Sequence, residues 1–123
     1  MRPALVATQK FAKDRALDAV STARLMIVTE ELVTNVLDHT GTDRDISLTL
    51  HLDQGENGFL ITVEDDGVPF DPRAARAQGL PNPERGGGVG LALVKAWTDI
   101  LAYNRENGRN RLVLRLRQTS RRP

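Results

Sequence analysis

Between Asp65 and Gly90 the chain passes through 26 residues that hold six glycines, four prolines and few large apolar side chains. Proline lacks the N–H that a helix or ladder needs, and glycine loses the most freedom on ordering, so this stretch does not read as regular structure. In a chain of 123 residues that leaves one plan: a single core built from the segments on either side, carrying a long loop. A loop of this length in so small a domain is usually functional or mobile.

Composition narrows the class further. With 40% hydrophobic residues and 17 Lys plus Arg against 16 Asp plus Glu, the chain is too apolar and too balanced for disorder, and too short for two domains. Residues 1–123 are therefore expected to form one domain. No stretch reaches the ~20 apolar residues of a membrane span, and the N-terminus lacks the charged-then-apolar pattern of a secretory signal, so no membrane association and a cytoplasmic location are expected. The absence of cysteine removes disulfides, thiol nucleophiles and Cys-ligated zinc, and His39 and His51 are the only histidines. Any chemistry must use carboxylates, amides, glycines and basic side chains.

The segments flanking the loop have readable periods. Met1 to Asp18 contains no glycine and mixes Leu5, Val6 and Phe11 with Lys10, Lys13 and Arg15, which predicts a short amphipathic helix. A second helix is predicted from a cap at Ser21 or Thr22 to about Asp38, with Leu25, Val28, Leu32 and Val36 as its apolar stripe and Gly41 as its stop. Strict alternation at Ile46, Leu48, Leu50 and Leu52, then at Phe59, Ile61 and Val63, predicts a hairpin through the turn 55–58. After the loop, a helix from about Val89 to Trp97 precedes a second hairpin, Ile100 to Asn104 and Arg111 to Arg117, with 105–110 as its turn. This order predicts an α+β fold, a two-layer α/β sandwich with helices on one face of a mixed, mostly antiparallel sheet.

Charge is divided unevenly: residues 1–104 carry 10 basic and 15 acidic side chains, whereas 105–123 carry seven arginines and only Glu106. A nucleic-acid contact is one reading of that tail. However, Arg115 and Arg117 alternate with Leu114 and Leu116, the pattern of a strand's solvated face, so direct nucleic-acid binding is disfavoured.

Three constellations bear on chemistry. Glu31, Asn35 and His39 recur every four residues and form one polar stripe on the second helix. A carboxamide oxygen there can ligate Mg²⁺ while the carboxylate one turn away takes a proton, although the same spacing also suits a solvated helix face. Next, the strand ending at Glu64 runs into Asp65-Asp66-Gly67-Val68-Pro69. A carboxylate fixed at a strand end can accept from an exocyclic amino group, and a glycine beside it lets a flat base approach; ordinary turn chemistry is the plain alternative. Finally, Gly86, Gly87, Gly88 and Gly90 precede a helical pattern. Such a segment exposes successive N–H groups at a helix N-terminus and suits a phosphate chain, or it is simply a hinge. It matches neither the dinucleotide fingerprint nor the P-loop.

In chain order these segments resemble the N-box and the two glycine boxes of the GHKL, or Bergerat-fold, histidine-kinase-like ATPases, over about residues 20–117. Glu31-Leu32-Val33-Thr34-Asn35 followed by His39, the stretch Asp65 to Pro72, and Gly87 to Val94 look most similar to bacterial anti-sigma factors that are also serine-protein kinases, the RsbW type. The resemblance implies ATP and Mg²⁺ as cofactors. It implies Glu31 as general base, Asn35 as the metal ligand, Asp65 on the adenine amino group and Gly67 giving the base room. Gly86, Gly88 and Gly90 would wrap the phosphates, with Val89 and Leu91 in the same cofactor-binding segment. A lid at about 71–88 carries Arg73, Arg76 and Arg85, whose guanidinium groups suit phosphate oxygens. The implied function is ATP-dependent serine phosphorylation of an antagonist (anti-anti-sigma) protein, with sequestration of a sigma factor and a possible homodimer. The alternative is a nucleotide-gated binding module without phosphotransfer.

The sequence departs from the superfamily pattern in two places. Pro69 stands where the last glycine of the first box usually falls, a feature shared with related stand-alone members. The first predicted helix begins almost at Met1, where such proteins usually place a strand. The implied sheet therefore lacks an edge strand, belongs to a longer chain, or uses a partner's strand. His39 is expected to support the hydrogen bonding at its helix end, His51 to lie on a solvated strand face, and Trp97 and Tyr103 to pack in the core or an interface.

Overall fold

The computed structural model describes residues 2–40, 46–56, 58–69, 71 and 89–117, with the side chains of 38–40 and 89 outside the description. Its elements are α1 (Arg2–Asp14), α2 (Ala19–Thr40), β1 (Leu48–Gly55), β2 (Gly58–Asp65), α3 (Val89–Trp97), β3 (Thr98–Glu106) and β4 (Arg109–Arg117). The four strands form one sheet in the order β1-β2-β4-β3. All three pairings are antiparallel, so the described residues contain no parallel pair.

Alternation along the strands decides which face is covered. Phe59, Ile61 and Val63 of β2 and Leu112, Leu114 and Leu116 of β4 are buried in one cluster with Phe11 of α1, Leu25, Val28 and Leu32 of α2, and Val94 of α3. Helices thus cover one face only, the expected two-layer α+β sandwich. Full burial of a side chain of this size contributes about 1.5–3 kcal/mol, which makes this cluster the main source of stability.

The opposite face is wet and charged. Glu64 and Arg111 are register partners joined by an ion pair at 3.2 Å. Asp99 faces Arg115 at 2.9 Å and also meets Arg117 at 2.6 Å. The Arg115 hydrogen bond, with Arg117 beside it, holds the Asp99 carboxyl below the ordinary carboxylate range. Arg117 also donates to the Ala96 carbonyl. Three arginines of the basic segment are thus bound to the protein itself on a solvated strand face.

Element ends differ from the periodic reading where capping decides them. The first helix stops at Asp14, not Asp18, because Ala16 takes a left-handed conformation with φ of 53°. Leu17 N then donates to Ala12 O at 3.0 Å and Ala16 N to Lys13 O at 3.1 Å. This is a Schellman closure without glycine, and Leu17 completes it by packing on the core. The N-cap of α2 is Asp18 and neither Ser21 nor Thr22: Asp18 Oδ1 accepts from Ser21 N at 2.7 Å. Ser21 faces inward and is 6% exposed. Gly41 lies outside the described residues.

The second hairpin is longer than its alternation shows. Its turn is Asn107-Gly108, with φ of 54° and 75°, the positive pair that a two-residue type I′ turn requires. The predicted turn residues Arg105, Glu106, Arg109 and Asn110 are therefore paired strand residues. His51 is exposed on β1, while Trp97 and Tyr103 pack partly buried against the core. No described helix is long and apolar enough to cross a membrane.

Candidate functional site

Two pieces of the site are visible, each at the end of an element that the core fixes. The first lies at the end of β2. The alternation that buries Phe59, Ile61 and Val63 continues to Asp65, which faces the helix layer and is 5% exposed. On β4 the same rule carries Leu116, Leu114 and Leu112 on to Asn110, which is 4% exposed. Asp65 and Asn110 are register partners, as are Asn110 and Arg105, so a polar row crosses three strands at the rim of the core.

Hydrogen bonds tie this row to the loop that follows β2. Asp65 Oδ1 accepts from Gly67 N at 2.8 Å and from Asn110 Nδ2 at 2.9 Å. Asn110 Nδ2 also donates to Val68 O at 2.9 Å, and Asn110 Oδ1 accepts from Tyr103 Oη at 2.5 Å and from Arg105 Nη1 at 2.9 Å. Arg105 Nη1 donates in addition to Gly67 O at 2.8 Å. Asp66 closes the other side, accepting from Ser47 N and donating its own N–H to Ser47 O. The loop Asp65-Asp66-Gly67-Val68 is thus held on both flanks. Both bonds to the Asp65 carboxylate fall on Oδ1, which leaves Oδ2 to receive a donor from a ligand.

The second piece joins α2 to α3. Glu31 is half-buried, and its side chain lies against Gly90 in the first turn of α3. A Cβ built at Gly90 overlaps the Glu31 carboxyl group and comes within 3.0 Å of Cγ. Glycine is needed there for the carboxylate to keep its place. Asn35, one turn along α2, is also half-buried, and its Nδ2 is a buried polar atom without a hydrogen-bond partner among the described residues. An unmet buried amide N–H costs about 1–3 kcal/mol, and Thr29 Oγ1 on the same helix is a second buried polar atom in that state. Leu91 sits half-buried beside Gly90.

The sequence-predicted residues therefore separate cleanly. Glu31 and Gly90, 59 positions apart, are brought into contact, with Asn35 on the next turn. Asp65 and Gly67 are joined by a hydrogen bond. Arg73, Arg76, Arg85, Gly86 and Gly88, the side chain of Val89 and that of His39 lie outside the described residues, as does the lid apart from Asp71. Asn110, Arg105 and Tyr103 were missed. The signal for Asn110 was present: it continues the Leu116, Leu114, Leu112 alternation once the Asn107-Gly108 turn sets the register.

The family model for the histidine kinase-like ATPase domain matches residues 1–116. The chain belongs to that family. A search of the curated proteins and one of the solved structures gave no match. A histidine kinase-like ATPase domain implies ATP as ligand, and the described residues suit one: an acceptor at Asp65 for a base, and a glycine-bearing helix start for phosphates. They also suit a single cation held mainly by phosphate oxygens. No three His, Asp or Glu side chains among the described residues gather to bind a metal, whereas the carboxamide of Asn35 carries one oxygen of the kind that Mg²⁺ takes.

The contact between Glu31 and Gly90 makes a prediction about this family member. Gly90→Ala must push the Glu31 carboxyl away from the start of α3, which should cost about 1 kcal/mol through the lost helix-terminus interaction. In a Glu31→Ala background the same change should cost nearly nothing, because no side chain is displaced. Urea unfolding of the four variants measures the coupling, and strictly additive costs would contradict the contact.

Proposed function

We propose that this histidine kinase-like ATPase domain is a serine-protein kinase of the anti-sigma-factor type. It binds ATP with Mg²⁺, phosphorylates a serine of an antagonist protein and holds a sigma factor. The observation that carries this reading is the seating of Glu31 at Gly90: it supports a carboxylate acting at the first turn of α3, the helix start to which the reading assigns the phosphates. In the transfer step Glu31 takes the proton of the serine hydroxyl, and the serine oxygen bonds to the γ-phosphorus. The bond from that phosphorus to the β,γ-bridging oxygen breaks, and ADP leaves. Positioning and charge stabilisation do most of the work in such a step, so the absence of cysteine is no obstacle.

Asn35 is the residue that would hold the metal, which when bound neutralises charge on the phosphate oxygens. Asp65 Oδ2 accepts the adenine amino group, Gly67 leaves room for the base, and Gly86, Gly88 and Gly90 line the phosphates together with Val89 and Leu91. Arg73 and Arg85 are assigned to the phosphates from the lid. The partner assignment rests on the likeness of Glu31 to Asn35, Asp65 to Pro72 and Gly87 to Val94 to that kinase type.

The test has two stages. Mg²⁺-ATP or Mg²⁺-ADP at 100 times its dissociation constant should stabilise the fold by about 2.7 kcal/mol and raise the melting midpoint by several degrees. With γ-labelled ATP and candidate antagonist proteins, label should then appear on serine. A thermal shift without label transfer would favour the nucleotide-gated binding module, and no shift at saturating nucleotide would refute the nucleotide site itself.

A further inference from the structure

The polar row behind the first glycine box has a direction, and Arg105 anchors its outer end beside Tyr103, whose Oη reaches the same Asn110 oxygen at 2.5 Å. A guanidinium can only donate hydrogen bonds. Its Nη1 donates to Gly67 O at 2.8 Å and to Asn110 Oδ1 at 2.9 Å, so the oxygen of the Asn110 carboxamide must face Arg105. That orientation turns Nδ2 toward Asp65 Oδ1 and Val68 O, both at 2.9 Å. Gly67 N, also a fixed donor, reaches the same Asp65 oxygen at 2.8 Å. Rotating the Asn110 amide would set N–H against N–H at Arg105 and oxygen against oxygen at Asp65 and Val68, so the relay has one low-energy polarity.

We propose that Arg105, acting through Asn110, is a positioning residue that determines base specificity. By helping to hold the Asn110 amide it keeps Asp65 Oδ1 engaged from within, which fixes the carboxylate so that Oδ2, an acceptor, is the oxygen turned to the ligand. An acceptor at that point selects a purine carrying an exocyclic amino group and rejects one carrying a keto oxygen there. Arg105 touches no ligand in this scheme; it lies at the exposed end of β3, held to the loop by the bond to Gly67 O. The proposal rests on the reading of Asp65 as the base-recognising carboxylate.

Discrimination between ATP and inosine triphosphate, which differ at that amino position, tests both together. The unmodified chain should bind ATP more tightly than inosine triphosphate. Arg105→Met keeps the aliphatic stem but removes the donor, and it should reduce that preference about tenfold, the worth of one hydrogen bond to a charged group. Arg105→Lys, also donor-only, should retain most of the preference. Because Arg105 is exposed at a strand end, both variants should fold, and their melting midpoints without nucleotide provide the control. A loose hairpin alone would weaken both nucleotides equally and leave their ratio unchanged. An Arg105→Met variant with the parent's ratio would therefore overturn the role of Arg105 while leaving Asp65 in place. A parent chain that binds the two nucleotides alike would overturn the Asp65 reading and this inference with it.

Discussion

Glu31→Gln should lower phosphoryl transfer by about 100- to 10,000-fold, the usual worth of a positioned general base, while ATP affinity changes by less than about twofold. The substitution is nearly isosteric. Gly90 leaves the space that the side chain occupies, so the amide fits where the carboxylate lay and the junction between α2 and α3 is kept. On the proposed function, what disappears is the ability to take the proton of the accepting hydroxyl. Single-turnover transfer from γ-labelled ATP, read beside calorimetric ATP binding, separates the two effects. Equal transfer by variant and parent would remove Glu31 from the reaction and return it to the role of a carboxylate at a helix N-terminus.

For Asp65→Asn the expectation is reversed, with a loss in binding rather than in chemistry. The variant can keep its carbonyl oxygen on Gly67 N and Asn110 Nδ2, since both partners are donors. The new amide nitrogen must then take the place of Oδ2, which on the proposed function would set N–H against the adenine amino group. Loss of a charge-assisted hydrogen bond, with a donor opposed to a donor, should raise the ATP dissociation constant about 100-fold. The melting midpoint without nucleotide should move little, because the internal bonds survive. If Asp65→Asn bound ATP as the parent does, the base would have to be recognised elsewhere in the domain.

Both expectations involve residues that the chain displays openly. Glu31 and Asn35 stand out by their spacing of four, Asp65 by its place between an alternating strand and a Gly/Pro turn, and Gly90 by the glycines before it. Each signal had an ordinary alternative, and their order along the chain outweighed it. The elements were legible for the same reason: apolar residues at periods of two and of three to four mark strands and helices wherever one face is covered. Ends were less legible. The stop of α1 at a left-handed Ala16 and the cap at Asp18 depend on closures that other residues could equally have made.

Arg105, Asn110 and Tyr103 show where sequence reasoning stopped. Arg105 and Asn110 lie in a six-residue polar stretch that resembles a loop, and Tyr103 has the character of a core aromatic. Pairing β4 with both β2 and β3 places Asn110 between Asp65 and Arg105, residues 45 and five positions away. That adjacency is a property of strand register, not of local pattern.

By itself, then, the sequence determined the periods, hence the helices and strands, the two-layer class, and the residue types available for nucleotide chemistry. Only the tertiary structure decided which of them meet. Glu31 rests on Gly90 because α2 and α3 pack side by side over the sheet. Asp65 is oriented by Asn110 because two strands align in one register. The physical reason is that a side chain's direction follows from a few neighbouring residues, whereas its partners depend on how distant faces are buried together, which no local pattern encodes.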